Sequence, residues 1–190
     1  MRDQAWSNLV AVVAIAAVVV ALPVLFLVVP GPAAPAQGAS TASMPTVFTN
    51  LSIVRGPSGE YMYNETALSV PSDVRVVFTI TNYDPARSIL PRSSDAQVVG
   101  TVNGTMTVAS GGRVSTVTAV ATNDVAHTFT MSDAYYHLNV PIPPASSVTQ
   151  PTTVTFAVVF STSGENFAWG CVVYCGGPLM AGMYGTITVR

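Results

Sequence analysis

At 190 residues the chain is long enough for one membrane segment and one domain of ordinary size. Only 8 % of residues are charged, the net charge is −2, and all seven basic residues are arginines, so no basic patch is present to hold a nucleic acid backbone. So sparse a charge also gives little long-range steering, which leaves shape, apolar contact or tethering to choose a partner.

Residues 1–8 form a short N-terminal segment containing Arg2, and residues 9–29 then carry no charge. A run of about twenty apolar residues is what a helix needs to cross a hydrocarbon core of ~30 Å. The apolar core of a cleaved signal is shorter, about 7–15 residues, so an uncleaved transmembrane anchor is expected. Small residues between Ala33 and Ala36 leave cleavage there as the other use of the segment. Arg2 precedes the run and no basic residue follows it before Arg55. The positive-inside rule then puts residues 1–8 in the cytoplasm and the rest of the chain outside the cell membrane. The sequons at Asn50, Asn64 and Asn103 are compatible with that side. Residues 30–45 contain four prolines among Ala, Gly and Ser and read as an extended linker.

From Thr46 to Arg190 the text is strand, turn, strand, rich in Val, Thr, Ile, Phe and Tyr, with no sustained helical period. Strands are expected at 46–54, 74–82, 97–108, 114–121, 126–131, 152–160, 166–173 and 183–189. Turn chemistry separates them at Gly56–Gly59, Asn82–Pro85, Asn103-Gly104, Gly111-Gly112 and Ser163-Gly164. The stretch from Pro141 to Pro151 is too rich in proline for a sheet centre and reads as a long connection. This spacing predicts an all-β fold, an antiparallel Greek-key sandwich.

Two late segments carry the chemistry: Asp124-Val-Ala-His127-Thr-Phe129, and the run from Phe167 to Val189 containing Cys171, Cys175, Met180 and Met183. Thiolate, thioether and imidazole together suit copper better than other common metals. His127, Cys171, Cys175 and Met183 are the candidate ligands, with Met180 and His137 as weaker ones. The cysteines have a second use, a Cys171–Cys175 disulfide in an oxidising exterior compartment. On a straight strand residues four apart lie ~13 Å apart, so a disulfide needs the strand to break near Val172–Tyr174. Zinc is disfavoured, because three good ligands are visible where a structural site takes four. Methionine also fills irregular cores, and Trp169 reads as a core residue. No nucleophile elbow, phosphate-binding glycine loop or His-Glu-x-x-His helix occurs. The chain is therefore not expected to be an enzyme by itself, and no small-molecule substrate is evident.

The stretch Val-Ala-His127-Thr-Phe129-Thr-Met resembles the strand that carries the first copper histidine of the cupredoxins. The final third resembles their ligand loop: an aromatic strand, a cysteine, a Gly/Pro-rich turn, a methionine and a closing strand. The spacing of Cys171 and Cys175 resembles the dinuclear-copper domain of haem-copper oxidase subunit II, itself a membrane-anchored sandwich. Tyr174-Cys-Gly-x-Pro and Gly182-Met-Tyr-Gly resemble sulfocyanin-like proteins. Both patterns place a histidine between the last cysteine and the methionine, whereas this chain has none between Cys175 and Met183. The resemblance implies a copper-binding electron-transfer domain working beside a haem-copper oxidase or another respiratory-complex subunit. The missing histidine keeps a second function open: a metal-free, disulfide-closed sandwich serving as an assembly or interaction subunit of a membrane complex or cell surface.

Overall fold

The computed structural model describes residues 44–173 and 182–190. The expected anchor at 9–29, most of the linker, Cys175 and Met180 lie outside the described residues. Among the described residues no helix is long and apolar enough to cross a membrane.

The described residues form eleven strands: β1 (Thr46–Arg55), β2 (Tyr61–Tyr63), β3 (Ala67–Val70), β4 (Arg75–Asn82), β5 (Met106–Ser110), β6 (Arg113–Val117), β7 (His127–Ser132), β8 (His137–Ile142), β9 (Thr152–Val159), β10 (Asn166–Gly170) and β11 (Tyr184–Val189). They form a six-stranded sheet in the order β2-β1-β4-β9-β5-β6 and a five-stranded sheet in the order β3-β11-β10-β7-β8. Alternation decides which face each strand buries. In β4, Val76, Phe78 and Ile80 turn inward and the residues between them are more exposed. The two inner faces meet through aromatic rings: Phe129 of β7 lies 5.5 Å from Phe78 and 5.8 Å from Phe156 of the opposite sheet.

The all-β sandwich is as expected, but its sheets are mixed rather than purely antiparallel. β1 and β4 pair in parallel from Thr46↔Arg75 to Ile53↔Asn82, and β3 and β11 are also parallel. The cause is the excursion between β1 and β4. β2 folds back on β1 and β3 carries the chain to the second sheet, so β4 returns in the direction of β1.

Three strands fall where none is expected. β2 and β3 are too short to announce themselves. β8 contains Pro141 paired opposite Thr128, so the proline-rich connection begins only at Pro143. β8 lies at the edge of its sheet, where a residue without an N–H is tolerated. Conversely, the expected strand at 97–108 is broken. Gly100 turns at φ 75°, and Asn103 and Gly104 follow at φ 65° and 64°. A Cβ on Gly100 would collide with the carbonyl of His137, which ties this turn to β8.

Candidate metal centre

His127 opens β7 and is 2 % exposed. A buried imidazole needs partners for both ring nitrogens. Nε2 meets Asp84 Oδ2 at 2.9 Å, and Nδ1 faces Cys171 Sγ at 3.9 Å. Asp84 follows the end of β4 in a turn built around Asn82. Its backbone N–H donates to Asn82 Oδ1 at 3.0 Å, its carbonyl accepts from the Ala145 N–H at 2.8 Å, and its Oδ1 accepts from the Ala86 N–H at 2.8 Å. The carboxylate is thus fixed before it meets the ring.

Cys171 stands one residue past β10, where the expected strand at 166–173 has already ended. Its N–H donates to the carbonyl of Met183 at 2.9 Å. Thr128, fully buried beside His127, clamps it from the other side. The Thr128 N–H donates to Cys171 Sγ at 3.4 Å, and Thr128 Oγ1 accepts from the Val172 N–H at 3.0 Å. The hydroxyl of Tyr63 donates to the Thr128 carbonyl at 3.1 Å. The sulfur is therefore held by Thr128, the neighbour of His127 on the same strand.

Of the candidate ligands, the structure brings the side chains of His127 and Cys171 together, and Met183 joins them through its backbone bond to Cys171. Met183 is 1 % exposed. His137 is exposed and pairs with Ser132, while His127 pairs with Ile142 at the other end of the β7–β8 hairpin. Five residues of strand, about 17 Å, separate the two rings' positions, so His137 is not part of this cluster. Cys175 and Met180, and with Cys175 the alternative disulfide, lie outside the described residues. Among the described residues no three of His, Cys, Asp and Glu group as a metal cage. Asp84 turns to the ring nitrogen away from the sulfur and is no ligand beside it. Trp169 packs in the core as expected, stacked on Phe129 at 4.7 Å and edge-on to Tyr63 at 4.7 Å.

The donor pair is spaced for a shared metal ion. With bonds of the length zinc makes, about 2.0–2.1 Å to nitrogen and about 2.3 Å to sulfur, the sum is about 4.3–4.4 Å. The observed 3.9 Å lies inside that sum, so one ion can touch both atoms without moving either. Copper in trigonal electron-transfer sites takes two imidazoles and a thiolate, with a methionine as the weak axial fourth partner; this pair supplies one imidazole and the thiolate of that set. Asp84 was not legible as a participant. Its signal, Asn82-Tyr-Asp-Pro85, reads only as a turn, and its partner lies 43 residues away.

No protein family matches the chain, and no curated protein does. Solved structures similar to it include rusticyanin from Thiobacillus ferrooxidans, with a TM-score of 0.42 and 13 % identity, covering 78 % of this chain and 79 % of that one. Auracyanin B is another, with a TM-score of 0.35 and 12 % identity, covering 78 % and 91 %. Both are cupredoxins, the superfamily that the sequence pattern around His127 and Cys171 resembles; likenesses of this size carry no argument about the site, which rests on its own geometry.

Proposed function

We infer that the chain is a membrane-tethered, outward-facing cupredoxin-type domain that binds copper and transfers electrons. The observation that carries this reading is the 3.9 Å approach of His127 Nδ1 to Cys171 Sγ, with the far ring nitrogen already engaged by Asp84. His127 and Cys171 would hold the ion, with Met183 beside them, and Cys175 is the further thiol the sequence offers. Copper, when bound, supplies a one-electron couple. The protein's part is to keep the donors still. His127 is held by a carboxylate, Cys171 by hydrogen bonds from and to the backbone, and all of them are buried, so little rearrangement accompanies a change of charge. The Thr128 N–H on the sulfur is the kind of contact that tunes the potential of such a site. An anchor at 9–29 would confine the domain to the membrane surface and raise its effective concentration near a haem-copper oxidase or other respiratory subunit.

A second reading, a metal-free assembly subunit closed by a Cys171–Cys175 disulfide, is favoured by the lack of any histidine in 176–183. One experiment separates the two. The full chain is expected to stay with membranes through a carbonate wash and, extracted in detergent, to bind stoichiometric copper with an intense visible thiolate band. Cys171→Ser should abolish the band. Absence of bound copper together with absence of titratable thiols would replace this reading with the second.

A further inference from the structure

Resting on the copper reading above, we propose that Asp84 is the positioning residue of the site: it selects the Nε2–H tautomer of His127 and so leaves Nδ1 without a proton on the side of Cys171. The two nitrogens of a neutral imidazole cannot both donate, and the bond made by one decides the role of the other. An ionised carboxylate only accepts. Asp84 Oδ2, at 2.9 Å, therefore draws the ring proton to Nε2.

What makes Asp84 specific for this task is its other oxygen. Oδ1 is occupied by the Ala86 N–H at 2.8 Å, a donor that belongs to the backbone and cannot reverse. The carboxylate thus stands between two donors and must accept from both. A carboxamide of the same size has a single oxygen. In Asp84→Asn that oxygen goes to the Ala86 N–H, because the opposite orientation sets one N–H against another. The NH2 group then faces His127 Nε2 and donates to it, so the ring proton moves to Nδ1. The nitrogen that looks at the sulfur becomes an N–H and is closed to a metal. Neither the volume of the side chain nor the Asn82 turn that carries it changes. The substitution therefore inverts a tautomer while leaving the packing alone.

The test is imidazole 15N NMR on the metal-free full chain in detergent at about pH 8, set beside a separate copper titration. Wild type is expected to show His127 as the Nε2–H tautomer and Asp84→Asn as the Nδ1–H tautomer, with copper affinity lower by about 10–100-fold in the variant. A wild-type ring that is Nδ1–H or doubly protonated overturns the proposal, and this arm stands even if Asp84→Asn does not fold. An unchanged tautomer in a folded Asp84→Asn overturns it as well, as does unchanged copper affinity. If wild type takes up no copper, the electron-transfer reading fails, while the pair of metal-free spectra still decides the role of Asp84.

Discussion

Asn82 ends β4 completely buried, at a position where the strand's alternation calls for an apolar side chain. It is retained there by three bonds. Its Nδ2 donates to the Pro143 carbonyl at 2.9 Å and to the Asp84 carbonyl at 3.3 Å, and its Oδ1 accepts from the Asp84 N–H. These bonds join the end of β4 to the connection after β8 and fix the backbone from which Asp84 reaches His127. Removing the amide strands a buried carbonyl and a buried N–H, each at about 1–3 kcal/mol. Asn82→Ala is therefore expected to lose about 2–6 kcal/mol, read as a lower denaturant midpoint with an unchanged slope. Because Asp84 loses its footing, the same variant should also bind copper more weakly. Stability unchanged within about 0.5 kcal/mol would mean that water replaces the amide without loss.

At the scale of elements, what could be read in the sequence was set by how many residues voted. β1, β4, β7, β9 and β11 are runs of β-branched and aromatic residues bounded by turn chemistry, and each lies within a residue or two of its expected range. β2 and β3 have three and four residues, too few for a period-2 pattern to declare itself. β8 is hidden by Pro141, because proline marks a connection unless the strand is known to lie at an edge, and that is a property of the whole sheet. Likewise His127 and Cys171 were legible through their flanking text, but their approach depends on β10 ending at Gly170, three residues earlier than its apolar run suggests. The β7–β8 hairpin has an anchor of its own in Tyr136. Its hydroxyl oxygen accepts from the Ser161 and Thr162 N–H groups at 2.9 and 3.2 Å. Burial pushes the phenol up, but the hydrogen bonds with Thr162 and Ser161 outweigh it and hold Tyr136 below the ordinary tyrosine value. Tyr136→Phe leaves those two N–H groups, on exposed Ser161 and half-buried Thr162, to water and should cost about 0.5–1.5 kcal/mol at neutral pH. A depressed acid stabilises the fold once ionised, an effect complete above the unfolded value of about 10 and lost as pH falls through the folded one. The stability gap between wild type and Tyr136→Phe should therefore widen from pH 7 toward alkaline pH. A gap that narrows would place the phenolate in an unfavourable environment.

Over the whole molecule, the site is the end of the core rather than an addition to it. His127, Phe129 and Met131 alternate on the inner face of β7, all nearly inaccessible. Phe129 reaches both sheets, stacking on Trp169 of its own and tilting against Phe78 and Phe156 of the other. Asp84 hangs from β4 in the six-stranded sheet, and Cys171 follows β10 in the five-stranded one. The ring of His127 thus touches a group from each sheet, so the Asp84 and Cys171 contacts exist together only when the sheets are packed. An ion bound by His127 and Cys171 is then bound by the folded state, and its binding energy adds to folding. Free copper at a hundred times its dissociation constant adds about 2.7 kcal/mol. For a domain of this size that corresponds to a rise in Tm of roughly 5–10 °C, less whatever copper the cysteines of the unfolded chain retain. Calorimetry with and without copper should show the rise in wild type, a smaller one in Asp84→Asn at the same copper concentration, and none in Cys171→Ser. An equal rise in all three would put the ion somewhere other than on His127 and Cys171, because only there does its binding depend on the Cys171 thiolate and on the ring that Asp84 orients.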